Sequence, residues 1–268
     1  PDYEAYSPSP KEKALVAGLL EKAPLKQALK ASLLGVYFVK NLRGNGITTP
    51  LFTHDGPVYA WVAINPAAFD RSLSEVLSAR EQSVFVDGEK LVKVECAAPA
   101  GKQLPGVAYS LGHEIAHTLD YSLGVTPYQS EDYYMMRTLS YAPGFVFGPW
   151  VGYDKLSPGA DSRLRKELRF YGIGGKPKLG RSDVKPLYTW LAASPALTLY
   201  GSQNWAEDFA EKFNYAYLSS LNGGQRTCRT YYKADTGWEE VLPSQAAADH
   251  TVQLFGSLRF AASGKSAR

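Results

Sequence analysis

Few cysteines, few histidines and no long apolar runs mark this chain. Of its 268 residues only 2 are Cys, 4 are His and 2 are Met. Cys96 and Cys228 stand far apart, without metal-site spacing and without a neighbouring His that would make either a nucleophile. They form either one disulfide or two buried thiols, and spacing alone leaves both open. No apolar run reaches the roughly 20 residues needed to cross a bilayer, so a transmembrane protein is excluded. The net charge of +3 is small and the basic residues are scattered, which removes the case for nucleic acid. There are no internal repeats and no low-complexity segment.

What is present fits a soluble globular chain: 45% apolar and 21% charged residues, and length enough for one large domain or two small ones. The 18 tyrosines and 5 tryptophans suit a polar-rimmed cleft, and they suit ordinary core packing equally well. The chain begins at Pro1 rather than Met, which we read as the loss of an upstream segment.

Residues 1–10 read as a loose Pro-rich arm. Helices are expected over residues 11–22 and 25–34, then a strand over 36–39, a turn at Asn45-Gly46 and a strong strand over 58–64 (VYAWVAI). A helix over 69–81 precedes a hairpin, with arms 83–86 and 90–95 about an Asp87-Gly88 turn. A loop over 99–105 leads into a helix over 107–121. Residues 126–180 carry Tyr128, Tyr133, Tyr134, Tyr141, Trp150 and Tyr153, and read as an insertion of loops with a short helix at 162–170. A helix over 186–193 follows. A long helix over 203–221 is capped by Ser202 or Asn204 and stopped by Asn222-Gly223-Gly224. Residues 261–268 read as a frayed tail.

The chemistry sits in His113-Glu114-Ile115-Ala116-His117 on the 107–121 helix. Residues i and i+4 share a helix face one turn apart, so both imidazoles can reach one metal ion. Glu114, one position round, can touch a metal-bound water without being a ligand, as a zinc hydrolase requires. The bland alternative is two histidines and a glutamate on a solvated face. With only 4 His in the chain, two at ligand spacing around a Glu favour the metal.

A catalytic zinc usually has a third protein ligand. A third His six residues beyond the second, after a Gly at the third, is excluded, because those positions hold Leu123 and Asp120. His54 lies in a turn-like Thr-His-Asp-Gly stretch and His250 in a short amphipathic segment; both read as surface or packed histidines. The 203–221 helix offers Glu207, Asp208 and Glu211, which could equally be a solvated acidic stripe.

The two segments together resemble the protease domain of anthrax lethal factor and its relatives, including the secreted Pro-Pro endopeptidases. The residues that carry the resemblance run from His113 to Asp120 (HEIAHTLD) and from Tyr200 to Phe213 (YGSQNWAEDFAEKF). The resemblance implies Glu207 as third zinc ligand, Glu114 as catalytic carboxylate and Tyr200 as the donor to the developing oxyanion. It makes Glu211 and Asp120 candidates for orienting the ligands from behind, against plain surface roles. It covers about a quarter of the chain. The separation of 90 residues from His117 to Glu207 is a longer gap than the family implies, so substrate preference does not carry over.

The expected fold is α+β: a zincin-like domain spanning 1–268, with a small mixed sheet on the motif helix and a largely helical C-terminal part. Its parts are an N-terminal helical portion (1–35), a Tyr-rich insertion (124–199) and the third-ligand portion (200–268). The expected function is a secreted or periplasmic zinc metalloendopeptidase acting on a protein or peptide, with one Zn²⁺ and a Glu-activated zinc-bound water. The alternatives are a zinc amidase on a non-protein amide such as cell-wall peptide, or a zinc-binding but inactive binding or toxin-associated domain. The 90–95 strand is the expected edge for an extended substrate, and aromatics of the insertion either wall the cleft or pack the insertion.

Overall fold

The structure, a computed structural model, describes residues 2–54, 57–86, 88–97, 103–128, 143–146 and 148–264. Along the chain the elements are β1 (Glu4–Ala5), α1 (Pro10–Glu21), α2 (Lys26–Ser32), β2 (Leu33–Lys40), β3 (Gly46–Phe52), β4 (Val58–Ile64), α3 (Leu73–Gln82), β5 (Val92–Cys96) and α4 (Gly106–Leu123). After these come α5 (Pro143–Val146), β6 (Trp150–Gly152), β7 (Lys155–Leu156), α6 (Arg181–Ala193), α7 (Trp205–Leu221), β8 (Cys228–Ala234), β9 (Gly237–Val241) and α8 (Gln245–Gly264). The architecture is α+β. Among the described residues no helix is long and apolar enough to cross a membrane.

One sheet has the order β1-β2-β4-β3, with β2 parallel and β3 antiparallel to β4. In β4 the residues Val58, Ala60, Val62 and Ile64 are buried while Trp61 between them is exposed, the period-two signature of a strand with one face on the core. That inner face meets α4, which is buried along nearly its whole length. It is enclosed by β3 and β4, α2, α3 and α7, so its polar side chains as well as its apolar ones lie inside the core.

A second sheet, β5-β8-β9, is antiparallel and shares a separate apolar cluster with α6. Here the structure departs from the expected hairpin. The strand at 92–96 pairs with β8, in a register that sets Cys96 opposite Cys228. The other expected arm runs elsewhere: Phe85 bridges Leu179, and the Val86 N–H donates to the Leu179 carbonyl. Local turn chemistry suggested a hairpin, and a non-local partner won the pairing. The cysteines form a disulfide closing a separation of 132 residues. Constraining the unfolded chain over a loop of that size is worth about 5 kcal/mol in the chain-entropy account.

β5 does not offer an edge for a substrate either. Its outer side is occupied by α3: the Ser78 hydroxyl donates to the Val94 carbonyl and accepts from the Val94 N–H, Ser74 Oγ accepts from the Cys96 N–H, and Gln82 Oε1 accepts from the Leu91 and Val92 N–H groups. The edge strand beside the motif helix is β3, which the sequence reading left unassigned.

Other boundaries move modestly. Leu33 and Leu34 belong to β2 rather than to the preceding helix, α6 begins at Arg181, and α8 runs through residues 261–264 of the expected tail. Within 162–172 there are two 3-10 turns, Arg165–Glu167 and Phe170–Gly172, in place of a short helix. Asp87 of the expected turn, residues 98–102 of the loop before α4, Tyr133, Tyr134 and Tyr141 of the insertion, and residues 265–268 lie outside the described residues.

Candidate metal centre

α4 and α7 cross in direct contact, and two small features of sequence allow it. A Cβ on Gly112 would stand 2.1 Å from Asn214 Oδ1 and 2.9 Å from Tyr217 Cδ1, so only glycine admits α7 this closely. Asn214 Nδ2 then donates to the Tyr109 carbonyl at 2.9 Å, a side-chain tie between the helices. The start of α7 is fixed by Asn204, whose side chain accepts from the Glu207 N–H at 2.9 Å. Glu207 is thereby carried over the His113 face of α4.

His113, His117 and Glu207 come together as a group able to hold a metal ion, the one such group among the described residues. The two Nε2 atoms lie 3.2 Å apart; Glu207 Oε2 is 3.0 Å from His113 Nε2 and 3.7 Å from His117 Nε2. A tetrahedral ion with bonds of about 2.0–2.1 Å sets its ligand atoms roughly 3.3 Å apart, so the triangle has the right size. Two imidazoles and a carboxylate are also a donor set that zinc accepts. The histidines are buried, at 5% and 7% exposure, and the Nδ1 atom of His117 has no hydrogen-bond partner among the described residues.

Behind His113 stands Glu211. Its fully buried carboxylate accepts from His113 Nδ1 at 3.0 Å, the Tyr109 hydroxyl at 2.5 Å, the Thr198 hydroxyl at 2.8 Å and Arg80 Nη1 at 2.7 Å. A carboxylate can only accept, so His113 Nδ1 carries a proton whether the ring is charged or neutral, and Nε2, which faces His117 and Glu207, is the nitrogen a metal would meet. Of the two residues considered for this orienting role, Glu211 has the contact. Asp120 does not: its carboxylate accepts from the Thr126 N–H and hydroxyl, at 2.7 and 2.6 Å, and secures the chain leaving α4. His250 lies outside the triad, paired with Asp208 at 3.1 Å and bonded to the Phe145 carbonyl. His54 is not part of it either.

Glu114 is buried against β3. Thr48 Oγ1 donates to its Oε2 at 2.6 Å, and a Cβ on Gly46 would sit 2.7 Å from its Oε1. Burial pushes its carboxyl above the usual carboxylate range, despite His113 and His117 nearby. The Tyr200 ring lies edge-on to His113 with centroids 5.5 Å apart. Burial, with Glu207 next in weight, holds its phenol well above the ordinary value, so it is a hydrogen-bond donor at neutral pH. Glu114, His113, Tyr200 and Tyr171 line one small cavity together with the 43–46 loop. On the other side Tyr121 stacks on His117, and Tyr128 meets both Tyr121 and Phe52. Trp150 and Tyr153 pack elsewhere, on Asp208 and Trp205.

The sequence reading missed Arg80, Tyr109, Thr198 and Thr48. For Arg80 a signal existed. Leu73, Val76, Leu77 and Arg80 follow one apolar i, i+3, i+4, i+7 stripe, and a charge in that stripe faces the core.

The metal-free site carries a proton that a metal must displace. Burial lowers the His113 pKa, but the hydrogen bonds and charges of Glu207 and Glu211 outweigh it and raise the value to about 10. A metal binds the deprotonated imidazole, so apparent affinity rises with pH, roughly tenfold per unit while His113 is protonated, and levels off as pH approaches that value. Calorimetric titration at pH 8 in buffers of different ionisation enthalpy is expected to show at least one proton released per metal bound, one from His113 and the rest from metal-bound water. No net release would overturn this account.

Comparison with protein-family models, with curated proteins and with solved structures finds no match for this chain.

Proposed function

We propose that this chain is a zincin-like, zinc-dependent metallopeptidase. In this reading His113, His117 and Glu207 hold one zinc ion, Glu114 moves protons and Tyr200 steadies the oxyanion. The observation that carries the reading is the triad within 3.0–3.7 Å, flanked by a second buried carboxylate that is not part of it. Zinc, when bound, supplies Lewis acidity, lowering the pKa of water toward neutrality and polarising a carbonyl.

The chain's own residues supply the rest. Thr48 fixes one oxygen of Glu114, leaving the other for the proton it takes from water and returns to the leaving amine. The raised carboxyl pKa of Glu114 brings it toward the range where a general base works. The Tyr200 hydroxyl donates to the oxyanion, a contact typically worth about 3 kcal/mol. An extended substrate adds along β3, the edge strand next to Glu114, in place of the β5 edge expected from sequence. The Cys96–Cys228 disulfide supports an oxidising, extracytoplasmic setting.

The test is a degenerate peptide library incubated with zinc-loaded protein and with chelator-stripped protein, then read by mass spectrometry for new termini. Cleavage by the loaded form alone, restored by added zinc, is expected. A library left uncut by the loaded protein overturns the peptidase reading and moves weight to a non-protein amide or to an inactive zinc-binding domain.

A further inference from the structure

Arg80 lies on α3, outside both segments that carry the triad, and its side chain is 1% exposed. Nη1 donates to Glu211 Oε2 at 2.7 Å and is bonded to the Tyr109 hydroxyl. Nε and Nη2 donate to Glu81 Oε1 at 3.2 and 2.8 Å, and Tyr188 holds the other Glu81 oxygen at 2.9 Å. The guanidinium carbon sits over two rings, 5.0 Å from the Tyr109 centroid and 5.2 Å from that of Tyr200. One planar group therefore touches the carboxylate that orients His113 and the ring of the proposed oxyanion donor.

We propose that Arg80 is a positioning residue, holding Glu211 against His113 Nδ1 and seating the Tyr200 ring beside the triad. The proposal rests on the metal reading of His113, His117 and Glu207. Arg80 is the cation shared by two buried carboxylates, Glu81 and Glu211. Without it both charges are left in the interior, and a buried charge whose partner is removed is strongly destabilising. Glu211 would then be held only by Tyr109, Thr198 and His113 itself, with nothing anchoring it from the α3 side, and its hold on the imidazole would loosen. A lysine keeps the charge but not the fork: a single ammonium cannot serve Glu211 and Glu81 in one plane while stacking between two rings. Other buried ion pairs lack this reach. Arg165 pairs with Asp161 and backbone carbonyls, and Lys212 pairs with Asp208.

The test compares wild type, Arg80→Lys, Arg80→Gln and the double variant Arg80→Gln/Glu211→Gln. Zinc affinity is read by competition with a chromophoric chelator, and the site by the visible spectrum of the cobalt-substituted protein. Arg80→Lys, folded by circular dichroism, is expected to lose about 10–100-fold in zinc affinity with a shifted cobalt spectrum. The double variant keeps an acceptor for His113 Nδ1 while removing one buried charge of each sign, so it is expected to recover most of the affinity that Arg80→Gln loses. That recovery carries the test should Arg80→Lys fail to fold, because a packing role alone predicts none. Unchanged affinity and spectrum in Arg80→Lys, or a double variant no better than Arg80→Gln, overturns the proposal. A different failure marks the metal reading itself: wild type that takes up no zinc, or His113→Ala that binds zinc as tightly as wild type.

Discussion

Glu207→Ala is expected to abolish stoichiometric zinc binding, weakening affinity by about 10²–10³-fold. The size follows from the ligand count. Structural zinc sites bind with roughly 10–16 kcal/mol through four ligands, so one ligand is worth about 2.5–4 kcal/mol, and each 1.4 kcal/mol is tenfold. Described side chains supply no ready substitute. Asp208, the next residue, is committed to Lys212, His250 and Trp150 Nε1. Glu211 is held by Arg80, Tyr109 and Thr198 on the far side of the His113 ring. The variant should stay folded, because the Glu207 side chain is the most exposed of the triad, at 20%. Its backbone cap on Asn204 does not depend on the side chain. Metal content after dialysis, with chelator competition, is the measurement. Wild-type zinc content in Glu207→Ala would sink the third-ligand assignment.

Glu114→Gln separates metal binding from turnover. Glutamine keeps the shape that fits against Gly46 and can still accept from Thr48, so the fold and the triad should be unaffected. What it loses is the ability to take a proton. Peptide hydrolysis is expected to fall by about 10²–10⁴-fold with zinc content unchanged. Turnover within a few-fold of wild type would remove Glu114 from the mechanism. Loss of zinc along with activity would instead make it part of the metal's support.

The helices that carry both residues were legible in sequence, and the reason is local. α4 and α7 are long, strongly patterned helices whose caps and stops lie within a few residues of their ends. The i, i+4 spacing of His113 and His117 fixes their relation without any knowledge of the fold. Glu207 was reached only through resemblance, because nothing local distinguishes it from Asp208 or Glu211. The structure distinguishes them by direction: one joins the triad, one faces Lys212 and one backs His113. β3 went unseen because Pro50 interrupts a run that otherwise reads as a strand, and proline is tolerated there because β3 is an edge. The misread hairpin has the opposite cause. Asp87-Gly88 is a good turn signal, yet the partner of β5 lies 132 residues on at Cys228. Pairing at that distance leaves no trace in a short window.

The Cys96–Cys228 bridge has one more consequence. Residues 113, 114, 117, 200 and 207 all fall between the two cysteines. A single cut anywhere in that span leaves two pieces that are still one covalent molecule. After a cut between α4 and α7, the His113 half and the Glu207 half would migrate together on a non-reducing gel and separate only when a thiol is added. A nick in that span therefore leaves the two halves of the site tethered, and diffusion does not part them.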